Sequence, residues 1–583
     1  MASKPTIVLG ISSSHGDSSA ALVVDGCLIA AVEEERFTRV KHYALFPKYS
    51  VEYCLRHANL SPREVQAVAI ARRPSNALGR KIALVASHPN LLSMKRPLAK
   101  ADIQKPIGHY LKQAGLKRAK LFRVEHHAAH LMSARYLADN RDMALLSFDG
   151  LGDFVSTAIG QATQSQLNVL DRVYFPHSVG YFYTAMTQYL GFAHFGDEFK
   201  VMGLSGYGQP RYLNAMRELI RETDDFGFQL NLEAFPILKN PMTFYIEKAQ
   251  PKIQPFYSAS LLTQVIGIAP RKVTENLTAA HADLAKSVQT RFEEIANHLL
   301  HQLFDKAGGG SLGLAGGCAH NSVWVGKISQ QTRFKEIFVA PACHDAGTAV
   351  GAAIAASGVQ VSPEGNHWGL LGPAETEQSL TAPESLPSHI TQQHFKQDTD
   401  LIQWIVEQLC SGRIVGLCRG RMEFGPRALG CRSILADPRI ASMKDRLNER
   451  VKHRESFRPF AASVLWEHQQ KWFHNSFYVP SMEAVFEVSE SVRSRVPAIV
   501  HADNSCRIQS IVQHTQPFFW SLLECFRKRT GIPMLINTSF NDGEPIVCTE
   551  KDAIDCFLNC DMDALVIGNQ TYLRIAESAA TAS

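Results

Sequence analysis

Two stretches of this chain share one figure, and that repetition limits the folds open to it more than any other feature. Thr6 to Ile11 is apolar, Ser12 to Ser19 is small and polar, Ala20 to Val24 is apolar again, and Asp25-Gly26 leads into Cys27 to Val32. Asp-Gly between two apolar runs predicts a hairpin. At Met143 to Gly160, MALLSF is followed by DGLGD and FVSTAIG, the same order of apolar run, small acidic loop and apolar run. The two read as halves of a pseudo-duplicated strand-loop-strand unit. A third segment, Ser311 to Ala315 followed by GGCAHN and an amphipathic stretch, predicts strand, glycine turn and helix, whose bared amides suit a nucleotide.

The alternation of strands and helices makes the class α/β. Two acidic strand-loop-strand units are how the actin-like fold of sugar kinases and heat-shock chaperones presents loops to a nucleotide's phosphates, although one such hairpin could belong to any α/β enzyme. With 583 residues, 45% hydrophobic and 20% charged, the chain can bury several cores, which excludes disorder as its dominant state. Ser357 to Gln393 is rich in Pro, Ser, Thr, Glu and Gly. The expected organisation is therefore a domain over 1–356, a connection over 357–397, and an α/β domain over 398–583. Sixty Lys and Arg against 55 Asp and Glu leave a formal charge of +5, too little for a nucleic-acid-coating surface. The start lacks a signal-peptide pattern, no stretch makes a convincing membrane span, and the 12 cysteines include no CxxC pair. A reduced, cytoplasmic protein without a membrane or nucleic-acid partner is expected.

Three groups could carry chemistry. His126 and His130 stand one turn apart in VEHHAAHLMSARYL, which reads as a helix, so two imidazoles can face one ion. Asp149 and Asp345 are each expected at the C-terminal end of a strand, facing a cleft. Two imidazoles and two carboxylates suit iron, manganese or zinc better than calcium or magnesium. The plain alternative is an ordinary helix with core or surface histidines. The second group lies in Arg419 to Phe460. Arg446, Arg450 and Arg454 fit a solvated helix face, whereas Arg427 and Arg458 sit in turns beside Gly425-Pro426 and Pro459, where a planar fork can clamp a phosphate. Arg507 and the NTSFN run from Asn537 to Asn541 add a cation and polar donors, unless NTSFN is simply an Asx turn. The third group is His15 with Asp17, plus Lys41 and His42 in EEERFTRVKH. His15 could take a proton from an attacking hydroxyl or merely cap its turn. Glu33 to Glu35 read as an exposed strand end without a role.

Together, HGDSSAALVVDG, EEERFTRVKH, EHHAAH, SFDGLGD, FKVMGLSGYG, GGCAHN, GRMEFGPRALG, RSILADPR, FRPFA and NTSFN resemble the ordered motifs of the bacterial O-carbamoyltransferases of antibiotic and nodulation-factor biosynthesis, across nearly the whole chain. The resemblance, which includes the tobramycin and cephalosporin carbamoyltransferases, implies an N-terminal actin-like domain of the TsaD type and a C-terminal YrdC-like domain. It implies that carbamoyl phosphate and ATP, with magnesium, form carbamoyl-adenylate in the second domain, and that an acceptor hydroxyl of a small molecule takes the carbamoyl group in the first. By the same resemblance His126, His130, Asp149 and Asp345 match metal ligands, with iron the implied metal. Gly316, Gly317 and Asn321 match the nucleotide loop. His15 matches a catalytic base and Lys41 a carbamoyl or phosphate contact. Arg427, Lys452, Arg458, Arg507, Asn537 and Ser539 match the carbamoyl phosphate and ATP site.

The chain departs from the family at Cys431, where Asn is common, and at Ala462, where Pro is common. No shared motif falls in Gln209 to Ile268, where acceptor identity is expected to be written. A tRNA threonylcarbamoyl-type enzyme would need a basic track. A hydrogenase-maturation carbamoyltransferase would carry paired CxxC fingers, and a non-catalytic actin-like nucleotide-binding protein would tolerate loss of Arg427 and Arg458. A homodimer is left open.

Overall fold

The computed structural model describes residues 6–89, 105–137, 142–163, 166–239, 244–358, 369–375 and 386–575. The chain divides into two units, Met1–Glu364 and Gly365–Ser583, and is a mixed α/β protein. Of the stretch expected to connect the domains, 359–368 and 376–385 lie outside the described residues, and Ile390–His394 forms an edge strand of the second unit's sheet.

In the first unit, β1 (Ile7–Ser12), β2 (Ser19–Val24), β3 (Cys27–Glu33), β4 (Ala67–Ile70) and β5 (Lys120–Arg123) form a sheet of order β3-β2-β1-β4-β5. β1–β2 and β2–β3 pair antiparallel, whereas β1–β4 and β4–β5 pair parallel. A second sheet repeats this arrangement with β6 (Met143–Gly152), β7 (Val155–Ala162), β8 (Leu167–Tyr174), β13 (Ser311–Ala315) and β14 (Glu336–Val339), in the order β14-β13-β6-β7-β8. Here β6–β7 and β7–β8 are antiparallel, and β6–β13 and β13–β14 parallel. Two of the hairpin turns, Asp25 (48°) with Gly26 (79°) between β2 and β3 and Asp153 (50°) with Phe154 (75°) between β6 and β7, use positive φ at two consecutive positions. That backbone matches the right-handed twist of the flanking strands. The short hairpins β9 (Ile220–Glu222) with β10 (Phe228–Leu230) and β11 (Phe244–Glu247) with β12 (Gln250–Ile253) fall in the stretch that carries no shared motif.

Both central strands are apolar almost throughout because both their faces are covered. On β1, Leu9 and Ile11 join the core that includes Val51, Cys54 and Leu55 of the helix Lys48–His57. The alternate face meets the helix Thr348–Ser357. On β6, Leu145 packs with Leu131 and Ala134 of the helix His126–Leu137, and Phe148 points the other way onto Phe292 and Trp324. The helices His126–Leu137 and Thr348–Ser357 also pack on each other. They come close because position 351 is glycine: a Cβ there would lie 1.7 Å from the Ala129 carbonyl oxygen. This contact brings the start of one helix beside the start of the other.

The second unit is built on one sheet of β15 (Ile390–His394), β16 (Val415–Cys418), β17 (Arg432–Ala436), β18 (Ala461–Leu465), β19 (Ala484–Glu487), β20 (Ser505–Ile511), β21 (Met534–Ser539), β22 (Ala564–Ile567) and β23 (Gln570–Arg574). The order is β15-β23-β22-β16-β17-β21-β18-β20-β19, with parallel pairs only at β16–β22 and β18–β20. The helices Asp398–Cys410 and Pro517–Thr530 pack together. Among the described residues no helix is long and apolar enough to cross a membrane.

Candidate functional site

Each unit gathers its own set of chemically active side chains. In the first, His126 and His130 project from the first turns of their helix toward Asp149 and Asp345. The His126 and His130 Nε2 atoms lie 3.2 Å apart. His126 Nε2 is 3.3 Å from Asp345 Oδ1 and 3.9 Å from Asp149 Oδ2, and His130 Nε2 is 3.3 Å from Asp149 Oδ2 and 3.5 Å from Asp345 Oδ1. The helical spacing of the histidines holds in the structure, but neither aspartate ends a strand as expected. Asp149 lies inside β6, where the register with β7 shifts between Phe148 and Gly152, and such an irregularity re-aims a side chain. Asp345 opens the tight turn Asp345–Gly347 that leads into the helix Thr348–Ser357. Gly152 leaves room for His126, since a Cβ there would lie 1.9 Å from the imidazole Cδ2.

The donor chemistry fits a cation. Buried Asp149 Oδ2 and Asp345 Oδ1 have no hydrogen-bond partner among the described residues. Two imidazole nitrogens and two carboxylate oxygens converge on one point. Donors at roughly 2.1 Å around one tetrahedral ion stand roughly 3.4 Å apart, close to the separations found here. Burial disfavours charge on His126, yet Asp345 and Asp149 override it and hold the imidazole well above its ordinary value. Burial and Asp345 raise the Asp149 carboxyl, but His126 and His130 prevail and hold it low. His127, the third histidine of this helix, is a core residue. It bonds Ser147 Oγ and the Val155 carbonyl, each at 2.9 Å, and burial pulls it down to about 3.

His15 lies against this cluster, its Nδ1 2.8 Å from Asp345 Oδ2 and 3.1 Å from the Gly16 carbonyl oxygen. Both neighbours are acceptors, so Nδ1 carries a proton, and the buried Nε2 has no partner among the described residues. Asp17 holds a second imidazole, His42, through Oδ1 to Nδ1 at 2.7 Å. Burial raises the Asp17 carboxyl, but His42 and His344 outweigh it and bring it down to about 2. Lys41, beside His42, is exposed.

Glu33 to Glu35 are buried, which corrects the expectation of an exposed strand end; each is neutralised or bonded by its own set of groups. Glu33 Oε2 accepts from Arg36, and its Oε1 lies 3.3 Å from His344 Nε2. Glu34 accepts from Tyr49 N, Ser50 N and Ser50 Oγ. Glu35 accepts from His42 N at 2.7 Å and pairs with Arg36 at 3.2 Å. Sequence spacing could not reveal these partners, because most of them come from other elements.

The glycine turn after β13 is present, but no long amphipathic helix follows it. The turn Gly317–His320 leads into the four-residue helix Ser322–Val325. Gly316 N donates to the Cys343 carbonyl at 2.7 Å, and Gly317 lies against Asp149, which sets the turn beside the imidazole-carboxylate cluster. Asn321 uses its amide internally: Oδ1 accepts from Trp324 N and Gln289 Nε2, and Nδ2 donates to Gln289 Oε1.

In the second unit the gathered groups are cations. Arg427 sits in the loop Gly425–Gly430 and pairs with buried Glu483 through Nε at 3.0 Å and Nη2 at 3.3 Å. That loop is fixed by Glu423 Oε1, which accepts from Leu429 N, Cys431 N and Arg432 N at 2.8 to 2.9 Å. Cys431 supplies only its backbone amide there. Asn537 of β21, Ala461 of β18 and Arg507 of β20 are in register, so Asn537 and Arg507 share one face of the sheet. Arg507 is driven down to about 9 by burial and then by Arg427 and Arg458, and its Nε has no partner among the described residues. Asn537 Nδ2 bonds Ser463 Oγ at 2.8 Å, leaving Oδ1 unbonded among those residues. Arg458 lies 3.7 Å from Glu455.

Lys452 donates to the Ser539 and Asn541 carbonyl oxygens and to Asn541 Oδ1, so it pins the NTSFN turn. Burial, then Arg454 and Arg458, push its ammonium down to about 7. Arg446 and Arg450 bond Gly412 and Asp561, consistent with a structural face. Arg454 departs from that face: it turns inward, with Arg458 and Arg507 as charged neighbours. The helical spacing misassigned it because the helix Met443–Arg446 passes into a wider π turn, Leu447–Val451, and ends before position 454.

Residues 7–354 match the family described as "Carbamoyltransferase N-terminus", and residues 406–574 the one described as "Carbamoyltransferase C-terminus". An uncharacterised protein of Synechocystis sp. is 35% identical, over 98% of this chain and 97% of its own. Nodulation protein NolNO of Sinorhizobium fredii is 34% identical, over 95% of this chain and 78% of its own. The 3'-hydroxymethylcephem-O-carbamoyltransferase of Amycolatopsis lactamdurans is 30% identical, over 58% of this chain and 60% of its own.

Proposed function

The chain belongs to the carbamoyltransferase family and is an enzyme of that family, and from that premise we propose that it moves a carbamoyl group from carbamoyl phosphate to a hydroxyl of a small-molecule natural product, with ATP consumed to AMP and pyrophosphate. The observation that carries this reading is the presence in one chain of two complementary centres, an imidazole-carboxylate cluster whose donors converge as a cation's ligands would and an arginine cluster crowded by its own charge. The repeated five-stranded sheet supports an actin-like, TsaD-type first domain. The second domain is read as YrdC-like.

The second unit is assigned the activation step. A water takes the phosphoryl group of carbamoyl phosphate, giving carbamate and inorganic phosphate; a carbamate oxygen then bonds to the α-phosphorus of ATP as the bond to pyrophosphate breaks, giving carbamoyl-adenylate. Arg427, Arg458 and Arg507 are placed to hold phosphoryl oxygens, where charge builds in both displacements. Glu483 fixes the Arg427 fork and Lys452 orders Ser539 and Asn541. A closed site is needed because carbamate is short-lived in water.

The first unit is assigned the transfer. His126, His130, Asp149 and Asp345 would hold a divalent metal, iron by the family resemblance, which supplies Lewis acidity toward the adenylate phosphate. His15 Nε2 takes the proton of the acceptor hydroxyl as its oxygen bonds to the carbamoyl carbon and the bond to AMP breaks. Asp345 orients His15 by accepting from Nδ1. Incubating the metal-loaded protein with ATP and carbamoyl phosphate should release pyrophosphate, and candidate hydroxyl compounds should gain one carbamoyl unit by mass spectrometry. Folded, metal-loaded protein that releases no pyrophosphate would refute the reading.

A further inference from the structure

The last turn of the helix Glu550–Asn559 sets two thiols on one face. Cys556 lies on that helix and Cys560 closes it, its N–H donating to the Cys556 carbonyl at 3.0 Å. The Cys560 thiol donates to the same carbonyl at 2.8 Å, which turns its sulfur back along the helix toward Cys556. Residues at this spacing have Cα atoms about 6 Å apart, inside the window of roughly 4.4 to 6.8 Å that a disulfide bridges. Both cysteines are buried, with exposures of 6% and 4%, but Asn559 and Asp561 on either side of Cys560 are exposed. The pair therefore sits at a helix end, where local opening is cheapest.

This helix end is joined to Lys452. Both thiols act on the Lys452 ammonium, which itself pins Ser539 and Asn541. Asp561, next to Cys560, donates its N–H to the Arg450 carbonyl at 3.1 Å and accepts from Arg450 Nε at 2.6 Å, two residues before Lys452. The two sulfurs are chemically unequal. The Cys556 thiol, with the Met562 amide and Lys452, outweighs burial and Asp542 and holds the Cys560 thiol below its ordinary value, whereas Cys560 and burial raise Cys556. A peroxide-sensitive pair has this form, an attacking sulfur beside a resolving one.

We propose that Cys556 and Cys560 are a redox-active dithiol, closed to a disulfide by a hydroperoxide, and that closure loosens the seat of Lys452. The Cys560 sulfur bonds to one peroxide oxygen as the O–O bond breaks, and the other oxygen leaves as water with the Cys560 proton. The Cys556 sulfur then bonds to Cys560 Sγ and displaces the hydroxyl, which takes the Cys556 proton and leaves as the second water. Two thiol hydrogens and two electrons thus pass to the peroxide. The closed bond, about 2.05 Å long, removes the Cys560 donor from the helix carbonyl and draws the Cys560–Asp561 turn away from Arg450.

The test treats the full-length protein with excess hydrogen peroxide, then iodoacetamide, then trypsin. The peptide from Asp552 to Arg574, whose only cysteines are this pair, should lose about two mass units, resist alkylation and regain both thiols with dithiothreitol. C556S should stop at a Cys560 sulfenic acid that dimedone captures, and C560S should give no such adduct. C27S, which changes a cysteine of the first unit, should form the disulfide like the unmodified protein. Where a variant melts early, the peptide mass of the unmodified protein still decides. Hydrogen exchange over 448–454 and 537–542 should be severalfold faster in the oxidised protein. Two alkylated cysteines in the 552–574 peptide after peroxide would overturn the dithiol. A disulfide that leaves exchange over those two segments unchanged would overturn its hold on Lys452.

Discussion

The two centres store their reactivity in opposite ways. In the first unit, imidazoles and carboxylates of compensating charge crowd together while individual donor atoms stay unbonded. In the second, Arg427, Lys452, Arg454, Arg458 and Arg507 crowd together with Glu483 and Glu455 as the carboxylates paired to them. The first arrangement balances its charges and turns four donor atoms toward one point. The second is well bonded at its anchors and lacks negative charge. An ion should therefore fix donor geometry in one, and an anion should relieve repulsion in the other. Removing single side chains should separate these two kinds of deficit.

The largest effect is expected at the coordinating cluster. Asp149→Ala leaves two imidazoles and one carboxylate, a set that still holds an ion but with one charged donor fewer, so metal affinity should fall by about a hundredfold or more and metal content should drop at limiting metal. Carbamoyl transfer should fall about a thousandfold, corresponding to several kcal/mol of lost charge stabilisation. Elemental analysis beside a transfer assay checks both, and an Asp149→Ala protein with full metal content at limiting metal would contradict the geometry. Next comes Arg507→Met. It removes a buried cation pressed by Arg427 and Arg458. Pyrophosphate release should drop about a hundredfold or more. The melting temperature of the free protein should not fall, because a repulsion disappears with the charge. A melting temperature that falls sharply would mean that Arg507 supports the fold instead.

His15→Asn sharpens the division of labour. Asn can still donate to Asp345 but places nothing at the Nε2 position, so orientation survives and the base does not. Pyrophosphate release should persist while transfer to hydroxyl falls about a hundredfold. If both fall together, His15 is not confined to the transfer step.

The legibility of this chain in its sequence follows the range of the interactions. Local signals were sound: Asp25-Gly26 forms the hairpin turn it suggested, and His126 with His130 form the helical pair. The repeated order of apolar runs corresponds to two sheets of the same topology. Signals that depend on distant partners failed. Glu33, Glu34 and Glu35 looked like a solvated end, yet contacts from Arg36, Ser50, His42 and His344 bury them. Arg454 followed the helical spacing of Arg446 and Arg450, but a wider turn displaced it inward. Asp345 was expected at a strand end, but the strand stops at Val339 and Asp345 opens a tight turn, which the close packing of Gly351 on Ala129 helps bring to the histidines. The partner of Asn321, Gln289, is likewise distant in sequence.

The smallest effect, and the most specific to the cationic centre, concerns Lys452 and pH. Its pKa is lowered from 10.5 to about 7, by burial and by Arg454 and Arg458. The unfolded chain keeps this proton up to the ordinary lysine range, so between about pH 7 and 10.5 the unfolded state binds more protons than the folded one. This group's contribution therefore makes the free protein more stable as pH rises through that window, and it penalises folding most fully below about pH 7. A bound phosphate reverses the balance by favouring the ammonium. Pyrophosphate binding near pH 8 should then take up about one proton, and affinity should weaken as pH rises. Calorimetry in buffers of different ionisation enthalpy measures that uptake directly. In Lys452→Met the uptake should fall by about the same amount; an unchanged uptake would assign the proton to another group. Because Asp149→Ala lies in the other unit's cluster, it should leave the uptake as it is, which ties the pH response to the arginine-rich centre alone.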